Sequence, residues 1–147
     1  MTLSSTSDSR KIKKAISRVL KELDMHLCCE IVKTKKHPRT FIVLNWVIDD
    51  DYFYIAHVMY KKRRTNWQTL LELIPVLGQA WEHYDHFGNG QSRPSDEMSK
   101  MEALLYHWRN GLNFLSREGI EINKQECYKF MLEQTTKWSD SVPTSKK

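Results

Sequence analysis

The sequence predicts an all-α fold: a compact bundle of four to six helices, with a small hairpin at residues 41–60 as the one departure it allows. Gly and Pro supply only five and four of the 147 residues, too few for the many turns of an all-β domain. A hydrophobic content of 40%, with five Trp, six Tyr and five Phe, is that of a folded globule. Apolar residues also recur three and four apart in several separate stretches, the signature of amphipathic helices. One domain is expected at this length, with residues 1–9 as a flexible N-terminal segment, 10–138 as a single helical domain and 139–147 as a flexible tail.

Asp8 or a neighbouring Ser can cap the first helix, which places Ile12, Ile16, Val19, Leu20, Leu23 and Leu27 on one arc. Arg10, Lys11, Lys14, Arg18 and Lys21 fall on the opposite side. From Ile31 to Thr40 the pattern lapses, and Pro38 disfavours helix at His37. Residues 41–60 fit a helix through Phe41, Leu44, Ile48, Tyr52, Ile55 and Met59, which is the preferred reading. The alternative is two strands around Asp49-Asp50-Asp51, since Phe41-Ile42-Val43-Leu44 suits a fully buried strand.

Trp67, Leu70, Leu71, Ile74, Leu77, Trp81 and Tyr84 mark a further helix, which Pro75 is expected to kink or split. Gly88-Asn89-Gly90 and Arg93-Pro94 mark a loop. Ser95 then caps a helix whose seam is Met98, Met101, Leu105, Trp108, Leu112 and Leu115, ended by Gly119. That seam suits a core and would equally suit docking on a neighbouring subunit. Asn123, with Glu126 three residues on, caps the last helix, whose inner face is Cys127, Phe130, Met131, Gln134 and Trp138.

Charge is the feature that points to a partner. Residues 1–64 hold 14 basic and 7 acidic side chains, and the remaining residues 9 and 11. A half so strongly positive is best understood with something anionic against it. The cations form three clusters: Arg10, Lys11, Lys14, Arg18 and Lys21; Lys33, Lys35, Lys36 and Arg39; and Lys61, Lys62, Arg63 and Arg64. Such clusters bind repeating phosphates without reading bases. Tyr54, Tyr60 and Trp67 flank the last cluster and are either core residues or stacking platforms.

Other constellations are weaker. His83 and His86, one turn apart beside Glu82 and Asp85, could hold a metal or shuttle a proton, with His57 or His107 as a further ligand, but equally make a polar helix end. Met25-His26-Leu27-Cys28-Cys29 lacks the second pair a zinc site needs, and Cys127 stands alone. Asp49, Asp50 and Asp51 point in different directions and read as a solvated turn rather than a Mg²⁺ site. No Gly-rich phosphate loop, nucleophile elbow or dinucleotide fingerprint occurs. No catalytic residue, metal or cofactor is therefore assigned.

The expectation is a non-catalytic, helical nucleic-acid-binding module. It holds the phosphate backbone of RNA or single-stranded DNA, without strong sequence preference, inside a larger nucleoprotein complex with protein neighbours. A basic helical bundle of this size is similar in general character to the small helical subunits that line nucleic-acid channels in CRISPR effector complexes. The alternative is a small adaptor or regulator that binds an acidic protein, and a His/carboxylate or metal-dependent enzyme ranks third. Three cysteines, two of them adjacent, make no disulfide framework, and no apolar run approaches the roughly 20 residues of a membrane span. These features, with no apolar signal region near the start, place the chain inside the cell, in the cytoplasm. Lys61 to Arg64 would suit nuclear import in a eukaryotic or viral setting.

Overall fold

The computed structural model describes residues 2–27, 29–34, 41–48, 52–61, 65–87 and 94–141, with side chains placed outside 34, 41–61, 86–87 and 135–141. Among the described residues four α-helices dominate a compact, mostly helical fold, and the strands form a three-stranded sheet and a two-residue pair.

Helix α1 (Ser9–Lys21) begins where the Asp8 carboxylate accepts the Arg10 amide at 2.8 Å. Ile12, Ala15 and Val19 are buried, with Ile16 and Leu20 packed against them. A π-helical turn (Glu22–His26) continues the chain and delivers Leu23, fully buried, into the same core. The expected apolar stripe, Leu27 included, is therefore the one the fold uses, with Ala15 added to it.

Residues 41–60 form the hairpin, which corrects the helical preference. Strands β3 (Phe41–Ile48) and β4 (Tyr52–Lys61) pair antiparallel from Phe41↔Met59 to Ile48↔Tyr52, and Asp49 to Asp51 lie between them, outside the described residues. Strand β2 (Cys29–Thr34) occupies the stretch where no periodicity was legible and pairs parallel with β4, giving the order β2-β4-β3. The run of Ile, Val and aromatic residues in β4 satisfies hydrogen-bonded neighbours on both edges, as a central strand requires. Backbone contacts place the sheet against helix α2.

Helix α2 (Asn66–Phe87) runs through Pro75 without a break, so the expected split does not occur. Thr65 and Gln68 exchange side-chain-to-amide bonds at 3.2 and 3.3 Å, a capping box at its start. Leu70, Leu71, Leu73, Ile74, Val76, Leu77 and Ala80 are at most 2% exposed. Burial on nearly every side outweighs the roughly 3 kcal/mol that an interior proline costs.

A 3₁₀ turn (Pro94–Glu97) precedes helix α3 (Lys100–Arg117). The cap is Ser99, not Ser95: Ser99 Oγ accepts the Glu102 amide and Glu102 accepts the Ser99 amide, both at 3.1 Å. Gly119, at φ 80°, ends the helix as expected, with Ile120 N–H donating to Leu115 and Gly119 N–H to Ser116. This is a Schellman stop.

Strand β5 (Glu121–Ile122) pairs parallel with β1 (Thr2–Leu3), and Leu3 is 5% exposed. The segment before α1 thus contacts the distant end of the chain through Thr2, Leu3 and the Ser5 amide. Asn123 caps helix α4 (Lys124–Ser141) by accepting the Glu126 amide at 2.9 Å. The Glu126 carboxylate turns away from its capping-box position and accepts the Ser5 amide instead.

Candidate nucleic-acid interface

Helix α1 carries no acidic residue, and its solvent face is cationic. Arg10, Lys11, Lys13, Lys14 and Lys21 are all exposed, and no described carboxylate lies within ion-pair distance of any of them. At about 100° per residue, four of the five span an arc of about 100° opposite Ile12, Ala15 and Val19. Lys13 extends that face beside Ile16 and was not among the expected residues. Its position next to the partly buried flank of the stripe is why strict opposition to the stripe misses it. At about 1.5 Å per residue, the face runs about 16 Å from Arg10 to Lys21. One strand of a duplex places about five phosphates over that axial length.

Arg18 does not join the face. Its guanidinium lies on Glu118, with Nε donating at 2.9 Å and Nη2 to the same oxygen, and Nη1 donates to Glu22 at 3.2 Å. It also stacks 5.5 Å from the centre of the Phe114 ring. The Glu118 hydrogen bond holds the guanidinium above its ordinary range. Arg18 thus ties α1 to the end of α3 and is charge-compensated by its partners, unlike the five cations of the open face.

The other clusters are only partly in view. Lys33 is exposed on β2. The parallel register places the backbone of Lys61 beside Thr34, one residue beyond Lys33 and its partner Tyr60. Lys35, Lys36, Arg39, Lys62, Arg63 and Arg64 lie outside the described residues. Asn66, in the first turn of α2, donates to Ser9 Oγ at 3.4 Å, in the first turn of α1. The start of α2 and the cationic end of α1 therefore meet. Trp67 is half-buried against the core rather than presented as a platform, and the Tyr54 and Tyr60 side chains lie outside the described set.

The histidine pair is organised differently from the sequence expectation. Glu82 is buried, and its carboxylate accepts His107 Nε2–H at 2.8 Å, Ser95 Oγ–H at 2.6 Å and the Ser95 amide at 2.8 Å. His83 is buried at 6% exposure, and the His86 side chain is outside the described residues. The partner of Glu82 is thus His107 of α3, 25 residues away. Burial alone would raise the Glu82 carboxyl, but the bonds from Ser95 and His107 outweigh it and hold the group below the usual carboxylate range. These bonds join α2, the 3₁₀ turn and α3. Among the described residues no group of three His, Cys, Asp or Glu side chains is placed to hold a metal ion.

Cys29 and Cys127 are buried thiols. Burial pushes the Cys127 thiol up to about 11, so the nucleophilic thiolate is scarce near neutrality. In the native protein at pH 8, iodoacetamide should leave Cys127 unmodified by peptide mass mapping, whereas the urea-unfolded chain should be alkylated there. Modification of the native chain at the unfolded rate would contradict this burial.

No described helix is long and apolar enough to cross a membrane. No family model, curated protein or solved structure matches this chain.

Proposed function

We propose that the chain is a non-catalytic helical module that holds the phosphate backbone of RNA or single-stranded DNA along α1. The observation that carries this reading is the set of five exposed cations, Arg10, Lys11, Lys13, Lys14 and Lys21, with no carboxylate partner among the described residues. Flexible lysines on a rigid helix give charge density without fixed donor geometry, which suits backbone contact rather than base reading. The meeting of Asn66 and Ser9 favours contributions from Lys62, Arg63 and Arg64 at the N-terminal end of this face. Lys33, exposed on β2, and Lys61, whose backbone pairs beside Thr34, belong to the same proposal, and Lys35, Lys36 and Arg39 join it on their sequence charge alone.

Exposed Met101 and Leu105 on α3, and Tyr128 and Leu132 on α4, favour protein neighbours, as in an intracellular nucleoprotein assembly. Leu105 and Tyr128 line one shared depression.

Replacing Lys11, Lys13, Lys14 and Lys21 together with Gln tests the reading. For a single strand, the slope of log K against log salt should fall by about 3, and affinity at 0.1 M salt by roughly 100-fold. Circular dichroism should not change, because all four side chains are exposed. An unaltered slope would remove α1 from the interface. Displacement of the strand by polyglutamate at equal charge concentration, with higher affinity for the polypeptide, would favour an acidic protein as the partner.

A further inference from the structure

The solvent side of α2 and α3, beyond the Glu82 bonds, opens into a cavity of about 520 Å³. We propose that this cavity takes one unpaired base of the strand held by α1, an inference that rests on the phosphate-binding reading above.

The lining has the chemistry a nucleobase needs. Trp81 and Tyr106, from α2 and α3, each give the cavity a partly exposed aromatic ring. Every base has a π-face, so such rings hold any base by stacking. Asn110 and Asn113 offer amide groups that both donate and accept, matching the mixed edge of a base. Asp85 supplies a carboxylate acceptor for an exocyclic amine, and Arg117 supplies a cation for the attached phosphate. An apolar ligand would leave four of these six groups without a counterpart.

The walls are held in place. The Trp81 ring packs 5.5 Å from Tyr84, edge-on, and 6.1 Å from Phe114. Glu82, one residue on, is fixed by Ser95 and His107. The cavity also lies close to α1: the Phe114 ring against which Trp81 packs is the ring that carries the Arg18 guanidinium. Arg117 is the immediate neighbour of Glu118, the main partner of Arg18. A strand leaving the cationic face past Arg18 meets Arg117 next.

The test compares a single-stranded oligonucleotide with an abasic strand of the same length and charge, by fluorescence anisotropy. The base-bearing strand should bind roughly 5- to 150-fold more tightly. Tyr106→Ala, which removes a stacking ring, alone and combined with Asn113→Ala at its exposed position, should remove most of that preference. Neither variant changes charge, so affinity for the abasic strand should be unaltered. Equal affinity for the two strands in the unmodified protein overturns the base site and leaves the α1 reading standing. Full preference in both variants places the base elsewhere and overturns the cavity. Binding of neither strand overturns both readings together.

Discussion

Replacing Gly111 with Ala should destabilise the protein by about 3 kcal/mol, although Ala is the better helix former by about 1 kcal/mol. Helices α2 and α3 cross backbone to backbone. A Cβ on Gly111 would fall on the carbonyl oxygen of Ile74, and one on Gly78 on the carbonyl oxygen of His107. Neither obstacle is a flexible side chain that can swing aside, so the helices must separate. Separation would open the most buried part of the molecule, where Leu73, Ile74, Leu77 and Trp108 are at most 1% exposed. Gly119→Ala provides the comparison. Nothing lies within 4 Å of the Cβ it adds, and only its φ of 80° opposes the change, at about 1 kcal/mol. Urea midpoints of the three proteins check the order. A Gly111→Ala variant as stable as the parent would mean the crossing is looser than described.

The second large effect is expected at Glu82. Glu82→Gln removes the charge that three hydrogen bonds converge on, leaving Ser95 and His107 with a weaker acceptor inside the protein. The loss should be about 3 kcal/mol at neutral pH. The folded-state carboxyl is held below its usual value. Its contribution is therefore present above the unfolded value of about 4.3 and is lost as pH falls through the lower folded value. The gap between parent and variant should accordingly be widest near pH 7 and narrow below about pH 4.3. Stability measured by urea titration across pH 2.5–7 tests this. A gap that does not depend on pH would assign the effect to packing rather than charge.

Close crossing and buried carboxylate belong to one arrangement. Gly78 brings α2 onto the backbone of His107, and one helical turn later α2 presents Glu82 to the ring of the same histidine. A bulkier residue at position 78 would therefore disturb the Glu82 bonds as well as the packing.

The parts of this fold that were legible in the sequence are those decided within a few residues. Asp8, Gly119 and Asn123 act on amides or carbonyls close by in the chain, and the stripe from Ile12 to Leu27 needs only helical spacing. The misread start of α3 was also local. Ser99-Lys100-Met101-Glu102 carries the full capping-box pattern, which the stretch from Ser95 to Met98 lacks, and Ser95 instead serves Glu82. Strand β2 was illegible because Ile31 and Val32 become a strand only beside Val58 and Met59. Periodicity within six residues cannot report a partner that distant in sequence. The Glu82–His107 pair was hidden for the same reason, and Arg18 looked free because Glu118 is 100 residues away. At Pro75 the local rule allowed a split that did not occur, because burial on nearly every side of α2 outweighs the lost bond.

The pairing of Thr2–Leu3 with Glu121–Ile122 and the bond from Ser5 to Glu126, 121 residues apart in sequence, impose an order on biosynthesis. At about 5–20 residues per second, the ribosome delivers the partner of that first strand roughly 6–24 s after making the strand itself. Until then Leu3 has no pocket to enter. The Thr2–Leu3 strand is thus among the last segments to find its place, and a nascent chain stalled before Glu121 would leave it exposed to chaperones and proteases.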